Sequence, residues 1–210
     1  MSYYFAYKAD LIMSDKHYFV SEFLEAVKSS CDKISREAME SAVNELFSAW
    51  KGGNKVFIIG NGGSASTATH LACDLVKNVG RPGLRALSLN DNIPLVSALT
   101  NDNGFDNVFS EQLSVWLEKG DVLIAISVHG GSGRDKAGAW SQNLVKAIAV
   151  AKSRGAMTIG ITGFDGGLMK DLVDVWINAP SNDTFQVEAL HVVVHHALCG
   201  ALQKRIEQLN

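Results

Sequence analysis

"KVFIIGNGGSAS", Lys55 to Ser66, decides the fold. Its first half is an unbroken apolar run closing on Gly60, the mark of a strand buried on both faces. Its second half is a glycine- and serine-rich turn that opens into a helical pattern from Ser64 to Lys77. Strand, tight turn and helix together begin a β-α-β unit. "LRALSL", "DVLIAISV" and "AMTIGITG" repeat the character of the first run, and "DVWINAP" is a fifth. Helical patterns separate most of them, notably Ser64 to Lys77 and Gln142 to Arg154. This alternation gives right-handed crossovers around a parallel sheet. The expected fold is α/β, a doubly wound five-stranded parallel sheet flanked by helices.

Outward from that centre, Phe19, Phe23, Val27, Ile34, Ala38, Ala42, Leu46 and Trp50 recur at helical spacing, which predicts a long helical stretch from Lys16 to Trp50. "KGGN" then stops it, as glycine does just past a helix end. A second long helix is expected from about Asp183 to Gln208. With 210 residues, three prolines and no low-complexity tract, the chain reads as one domain. Residues 1–50 form its helical N-terminal segment and 51–210 its sheet-bearing body.

The chain is 47% apolar and 20% charged with a net charge of -3, which speaks against disorder and against nucleic acid as a partner. Cys31, Cys73 and Cys199 are odd in number and show no CxxC spacing, so a reducing compartment and a cytoplasmic location are expected. "MSYYFAYKADLIMSDKHYFV" lacks the charged start and long apolar core of a leader. No window approaches the roughly 18 uninterrupted apolar residues of a membrane span.

Ligands of open parallel sheets bind beyond the carboxyl ends of the strands. Four segments fall there: "GNGGSAS", "LTNDNGFD", "SVHGGSG" and "TGFDGG". All are read as loops rich in Gly, Ser, Thr and Asn. Their N–H groups and hydroxyls, with the dipole of the helix starting near Ser64, suit an anion such as a phosphate ester. Ordinary turn chemistry is the plainer reading of any one of them. A dinucleotide site is disfavoured because the third glycine of GxGxxG falls on Ala65, and no GxxxxGK[ST] occurs.

"SASTATHLACDLVKN" sets His70 and Asp74 at i and i+4, within reach of one another. "FQVEALHVVVHHALC" sets Glu188, His191, His195 and His196 within about two turns. His196, eight residues after Glu188, is placed on the Glu188 face. His195 is placed about 100° away as a packing or subunit-interface residue. His191, three residues after Glu188, shares part of that face and is kept as a residue that orients a ligand. Two helices each offering imidazole and carboxylate suit zinc or a similar ion, while surface charges and satisfied core histidines are the plainer reading.

Taken together, "GNGGSASTATHLACDL", "ALTNDNGFDNVFSEQL", "GDVLIAIS", "GITGFDGGLM" and "VEALHVVVHHALCG" resemble the SIS (sugar isomerase) fold and, within it, the phosphoheptose isomerase family. The likeness runs from about Trp50 to the end; up to about Ala38 it is only that of a helix. It implies an aldose-ketose isomerase converting sedoheptulose 7-phosphate to D-glycero-D-manno-heptose 7-phosphate, a homotetramer with one zinc ion per subunit. The family's substrate contacts fall on Asn61, Gly62, Gly63 and the following Ser64, on Asn101 and Asp102, and on Asp74 and Glu188. Its metal ligands fall on His70, Asp74, Glu188 and His196. Its phosphate loop falls on Ser127, Val128, His129 and Ser132.

Some positions depart from the family pattern. Asp74 stands where Glu is usual, and Glu188 where Gln is usual. The Ser-Thr-Ser of the phosphate loop reads Ser127, Val128, His129, and "GRDKAGAW" follows Ser132 as extra sequence. The resemblance implies proton transfer through an enediol, with Asp74 or Glu188 as base and His196 as acid. Two alternatives follow: an isomerase of a longer or shorter sugar phosphate, and a non-catalytic SIS adaptor that binds a protein partner. A sugar-phosphate-sensing regulator is disfavoured because no DNA-binding segment is apparent.

Overall fold

A computed structural model describes residues 19–131 and 140–209. The strands are β1 (Lys55–Gly60), β2 (Arg85–Ser88), β3 (Val122–Ser127), β4 (Met157–Thr162) and β5 (Val175–Asn178). They form one sheet in the order β2-β1-β3-β4-β5, every neighbouring pair parallel. The order reverses between β1 and β3. This is the expected doubly wound sheet, with all five strands at the anticipated runs.

Alternation along each strand builds two cores. Val56, Ile58, Val122, Ile124 and Ile126 face one side, covered by α2 (Arg36–Gly52), α3 (Gly63–Lys77) and α8 (Thr184–Glu207). Phe57, Ile59, Leu123 and Ala125 face the other, covered by α5 (Val108–Trp116) and α6 (Gln142–Ser153). Residues 19–31 form α1, whose Val27 and Cys31 pack against Ala179, Val187 and Leu190. A short α7 (Met169–Leu172) links β4 to β5.

Two expectations are corrected. The N-terminal stretch is not one helix: α1 stops at 31 and α2 restarts at Arg36, capped by the Ser35 hydroxyl, which accepts from Ala38 N at 3.1 Å. A side-chain cap of this kind contributes about 1 kcal/mol. Residues before 19 lie outside the described residues. The segment read as the loop "LTNDNGFD" is largely helical: Leu99 to Asn103 end α4 (Ile93–Asn103), and Phe105–Asn107 make a 3-10 turn. No residue of α4 is fully buried; only Leu95, Val96 and Leu99 are half-buried, the last two against the second core, a stripe too short for periodicity to report. Its start was marked instead by Asn92, whose side chain accepts from Leu95 N, and by Pro94 in the first turn.

By length and composition alone, α8 is apolar enough to cross a membrane. It is a core helix here: Val187, Leu190, Val194, Leu198, Leu202 and Ile206 are buried within the molecule.

Candidate active site

The first element of the site is the turn after β1. Gly62, at φ 57°, takes a left-handed conformation that glycine accepts without steric cost, and α3 begins at the next residue. At Gly63 a Cβ would overlap the Glu188 carboxylate, so that side chain would have to swing aside for any larger residue. Glu188 on α8 therefore lies against the N-terminal end of α3, where a negative charge is favoured. Further along both helices, His195 and His196 of α8 meet His70 and Asp74 of α3. The two helices thus run side by side in the same direction.

At that meeting Asp74 is the hub. Its Oδ2 lies 3.0 Å from His195 Nε2, 3.4 Å from His196 Nδ1 and 3.7 Å from His70 Nε2. Its Oδ1 accepts from Asn78 Nδ2 at 2.9 Å. The ligand atoms of His70, Asp74, His195 and His196 all lie within 4.8 Å of one another. Asp74 and His195 are buried, whereas the side chains of His70 and His196 are 49% and 52% exposed, so the cluster opens to solvent on one flank.

Burial alone would raise the Asp74 carboxyl, but the His195 hydrogen bond and the three imidazoles outweigh it and hold the group below its usual value. Burial pushes His195 the other way, towards the neutral ring, against the pull of its bond to Asp74. Facing an ionised carboxylate, His195 Nε2 carries the proton, which leaves a buried Nδ1 with no hydrogen-bond partner. Burial also raises the nearby Cys199 thiol to about 12, so it is no nucleophile at neutral pH. An ionised carboxylate grouped with imidazoles, one of them neutral, is a donor set that divalent metals accept.

The structure brings together three of the four residues proposed as ligands, His70, Asp74 and His196, and adds His195. Placing His195 away from the Glu188 face is corrected by helix geometry. Seven residues turn a helix to within about 20° of its starting face, whereas eight overshoot by about 80°. Glu188, His191 and His195 form one inward stripe, and His196 reaches Asp74 from the exposed flank. His191 is fully buried, and burial lowers it to about 4 against the pull of the Thr162 backbone.

The loops are less uniform. Ser64 is buried in the first turn of α3. Ser127 Oγ, at the end of β3, accepts from Gly130 N at 3.1 Å, and Val128 packs with the small apolar cluster under α8. The His129 ring lies 4.3 Å from the Phe164 ring and 5.4 Å from the Trp140 ring, centre to centre. Ser132 lies outside the described residues. Asn101 and Asp102 sit in the last turn of α4, exposed and bonded to each other at 2.7 Å. Asn61 is met by Asn143 of α6, a fully buried residue that the sequence reading did not single out.

A glycine turn at the carboxyl edge of a parallel sheet thus lies on the same pair of helices as a carboxylate ringed by imidazoles. The SIS domain family model matches residues 22–163. Lincomycin biosynthesis protein LmbN from Streptomyces lincolnensis is 47% identical over 175 residues, covering 80% of this chain; this chain spans only 62% of that protein's length. The phosphoheptose isomerase of Geobacter metallireducens is 36% identical over 182 residues, 80% of this chain and 92% of its own. The structure of phosphoheptose isomerase GmhA from Neisseria gonorrhoeae superposes with a TM-score of 0.80 at 28% identity, over 92% of this chain and 99% of that one. The chain belongs to the SIS domain family and, within it, to the phosphoheptose isomerases.

Proposed function

We propose that the chain interconverts the ketose and aldose forms of a sugar phosphate, with sedoheptulose 7-phosphate and D-glycero-D-manno-heptose 7-phosphate as the leading pair. The observation that carries this reading is the Asp74 carboxylate within 3.7 Å of three imidazoles, beside a glycine turn suited to an anion. Asp74, held ionised, takes the proton from the carbon next to the carbonyl. His196, half-exposed and 3.4 Å from Asp74, handles the proton on oxygen. Glu188 lies at the start of α3 against Gly63, which favours Asp74 over Glu188 as the base.

His70, Asp74 and His196 are proposed as metal ligands with zinc as the ion, while Glu188, the fourth position by resemblance, lies against Gly63 and outside this cluster. Bound there, zinc would polarise the carbonyl and hydroxyl oxygens of the substrate. From Gly63 to His70 the helix rises by about 10 Å, so the anion-facing end and the proton-transfer cluster are well separated. That span favours a long sugar held by its distal phosphate. A homotetramer is proposed as the working form, supported by the exposed Phe185, Val192 and Val193 on α8 and Phe19, Val20 and Leu24 on α1. Three free thiols suit the reducing cytoplasm, the proposed location.

A second reading, an isomerase of a longer or shorter sugar phosphate, is favoured by Val128 and His129 in place of two hydroxyl residues. Turnover on five- to eight-carbon ketose phosphates, with and without chelator, tests both. Fastest turnover on the seven-carbon sugar supports the first, and on a sugar of another length the second. No turnover on any would leave the non-catalytic adaptor. Zinc content and light scattering test the ion and the tetramer.

A further inference from the structure

The turn after β1 is gripped from both sides by side-chain amides. On one side Asn90 holds Gly60: its Nδ2 donates to Gly60 O at 2.8 Å and its Oδ1 accepts from Gly60 N at 3.3 Å. On the other, Asn61 and Asn143 form a reciprocal pair. Asn61 Nδ2 donates to Asn143 Oδ1 at 3.0 Å, and Asn143 Nδ2 donates to Asn61 Oδ1 at 2.9 Å. Leu144 N also donates to Asn143 Oδ1 at 3.0 Å, which fixes the orientation of both amides. The second Asn61 donor goes to Ser141 Oγ at 3.3 Å. Ser141 itself stands at φ 53°, a left-handed conformation costly for serine, and its hydroxyl makes no cap bond to its own helix.

The donor count is decisive. A side-chain amide has two N–H groups. Both of those on Asn61 are committed within the protein, so the side chain has none to offer a phosphate.

We infer that Asn143 is a positioning residue for the substrate turn, and that Asn61 acts through this pair rather than as a side-chain donor to the sugar phosphate. The pair ties the start of α6 to the Gly60–Gly63 turn. The start of α3, where Ser64 N and Ala65 N donate back to Asn61 O and Gly62 O at 3.1 and 3.0 Å, is thereby held at a fixed place. Asn143 is fully buried, so it does this without touching substrate. The inference rests on the turn facing the anion, as proposed above.

A double-mutant cycle tests it. Asn61→Ala, Asn143→Ala and the double variant are compared by isomerase kcat and KM and, independently of turnover, by the affinity for inorganic phosphate measured calorimetrically. Each single variant should weaken phosphate binding and raise KM about tenfold, and the double variant should be no worse than either. Asn143→Asp, which keeps the acceptor but loses the donor to Asn61 Oδ1, should fall between. Losses that multiply in the double variant would overturn the inference, as would an Asn143→Ala enzyme that melts earlier but keeps its phosphate affinity and KM. Wild-type protein that turns over no sugar yet binds phosphate would sink the isomerase reading while leaving this cycle readable. Wild-type protein that binds no phosphate would overturn the positioning role itself.

Discussion

Replacing His195 and His196 separately should give opposite signatures. His195 is fully buried on α8, its Nε2 3.0 Å from Asp74 Oδ2, while the His196 side chain is 52% exposed. His195→Ala removes a buried ring, and with it a hydrogen bond to a charged group. Core truncations of this size cost about 2–5 kcal/mol and such a bond about 1.5–3 kcal/mol. Relief of the unpartnered Nδ1 offsets part of this, so a net loss of about 3 kcal/mol is expected. For a chain of this length that lowers Tm by roughly 6–12 °C. His196→Ala should change stability by no more than about 0.5 kcal/mol, as exposed substitutions do, and Tm by no more than about 2 °C. Calorimetric melting of both variants at one protein concentration, with chelator present so that metal linkage is removed, decides the matter. Equal shifts, or a larger one at His196, would refute the assignment of His195 to the interior and His196 to the open flank.

Asp74→Asn keeps the shape of the hub and removes its charge, so isomerase kcat should fall by about 10²–10⁴ while the protein stays folded; a near-wild-type rate would place the base elsewhere. Acid stability should depend on His191. Its folded value of about 4 lies below the ordinary 6.5, so its neutral form stabilises the fold fully above 6.5, and that contribution is lost as pH falls towards 4. The loss amounts to about 3 kcal/mol at 1.36 kcal/mol per unit. His191→Leu should therefore flatten Tm against pH over this range, and an unchanged slope would exclude the ring as its source. Gly63→Ala should swing the Glu188 carboxylate off the start of α3 at little cost, because the methyl meets only the flexible end of that side chain, and a loss above about 1 kcal/mol in urea unfolding would refute this.

The sheet was legible because its three central strands are buried on both faces. "KVFIIG" and "DVLIAISV" advertise themselves as continuous apolar runs, and the glycine turn after the first marks where ligands are met. The mostly exposed α4 was not legible as a helix, since its half-buried stripe is only Leu95, Val96 and Leu99. Of the site, the His70 and Asp74 pair followed from i, i+4 spacing, which is local. The two histidines of "VHHALCG" required angular bookkeeping over two turns, where one residue moves a side chain about 100°. Asn143 left no trace in sequence, because an asparagine near a helix start is ordinary capping chemistry. Its meaning comes from Asn61, 82 positions away in the chain.

The Asp74 and His195 pair gives the departures from the family pattern a physical logic. An aspartate reaches one methylene less far from α3 than the family's usual glutamate would. A short carboxylate facing a groove between two helices would sit back from its partners unless one came to meet it. His195, from the inward stripe of α8, does so at 3.0 Å, and Asn78 steadies the second oxygen at 2.9 Å. The carboxylate is thereby held between a buried neutral ring and two rings that reach solvent, which fixes the side from which a substrate or an ion can approach it. The short acid at 74 and the imidazole at 195 therefore act as one unit, so Asp74→Ala and His195→Ala together should cost less in urea unfolding than the two single losses added, and additive losses would show that they are not coupled.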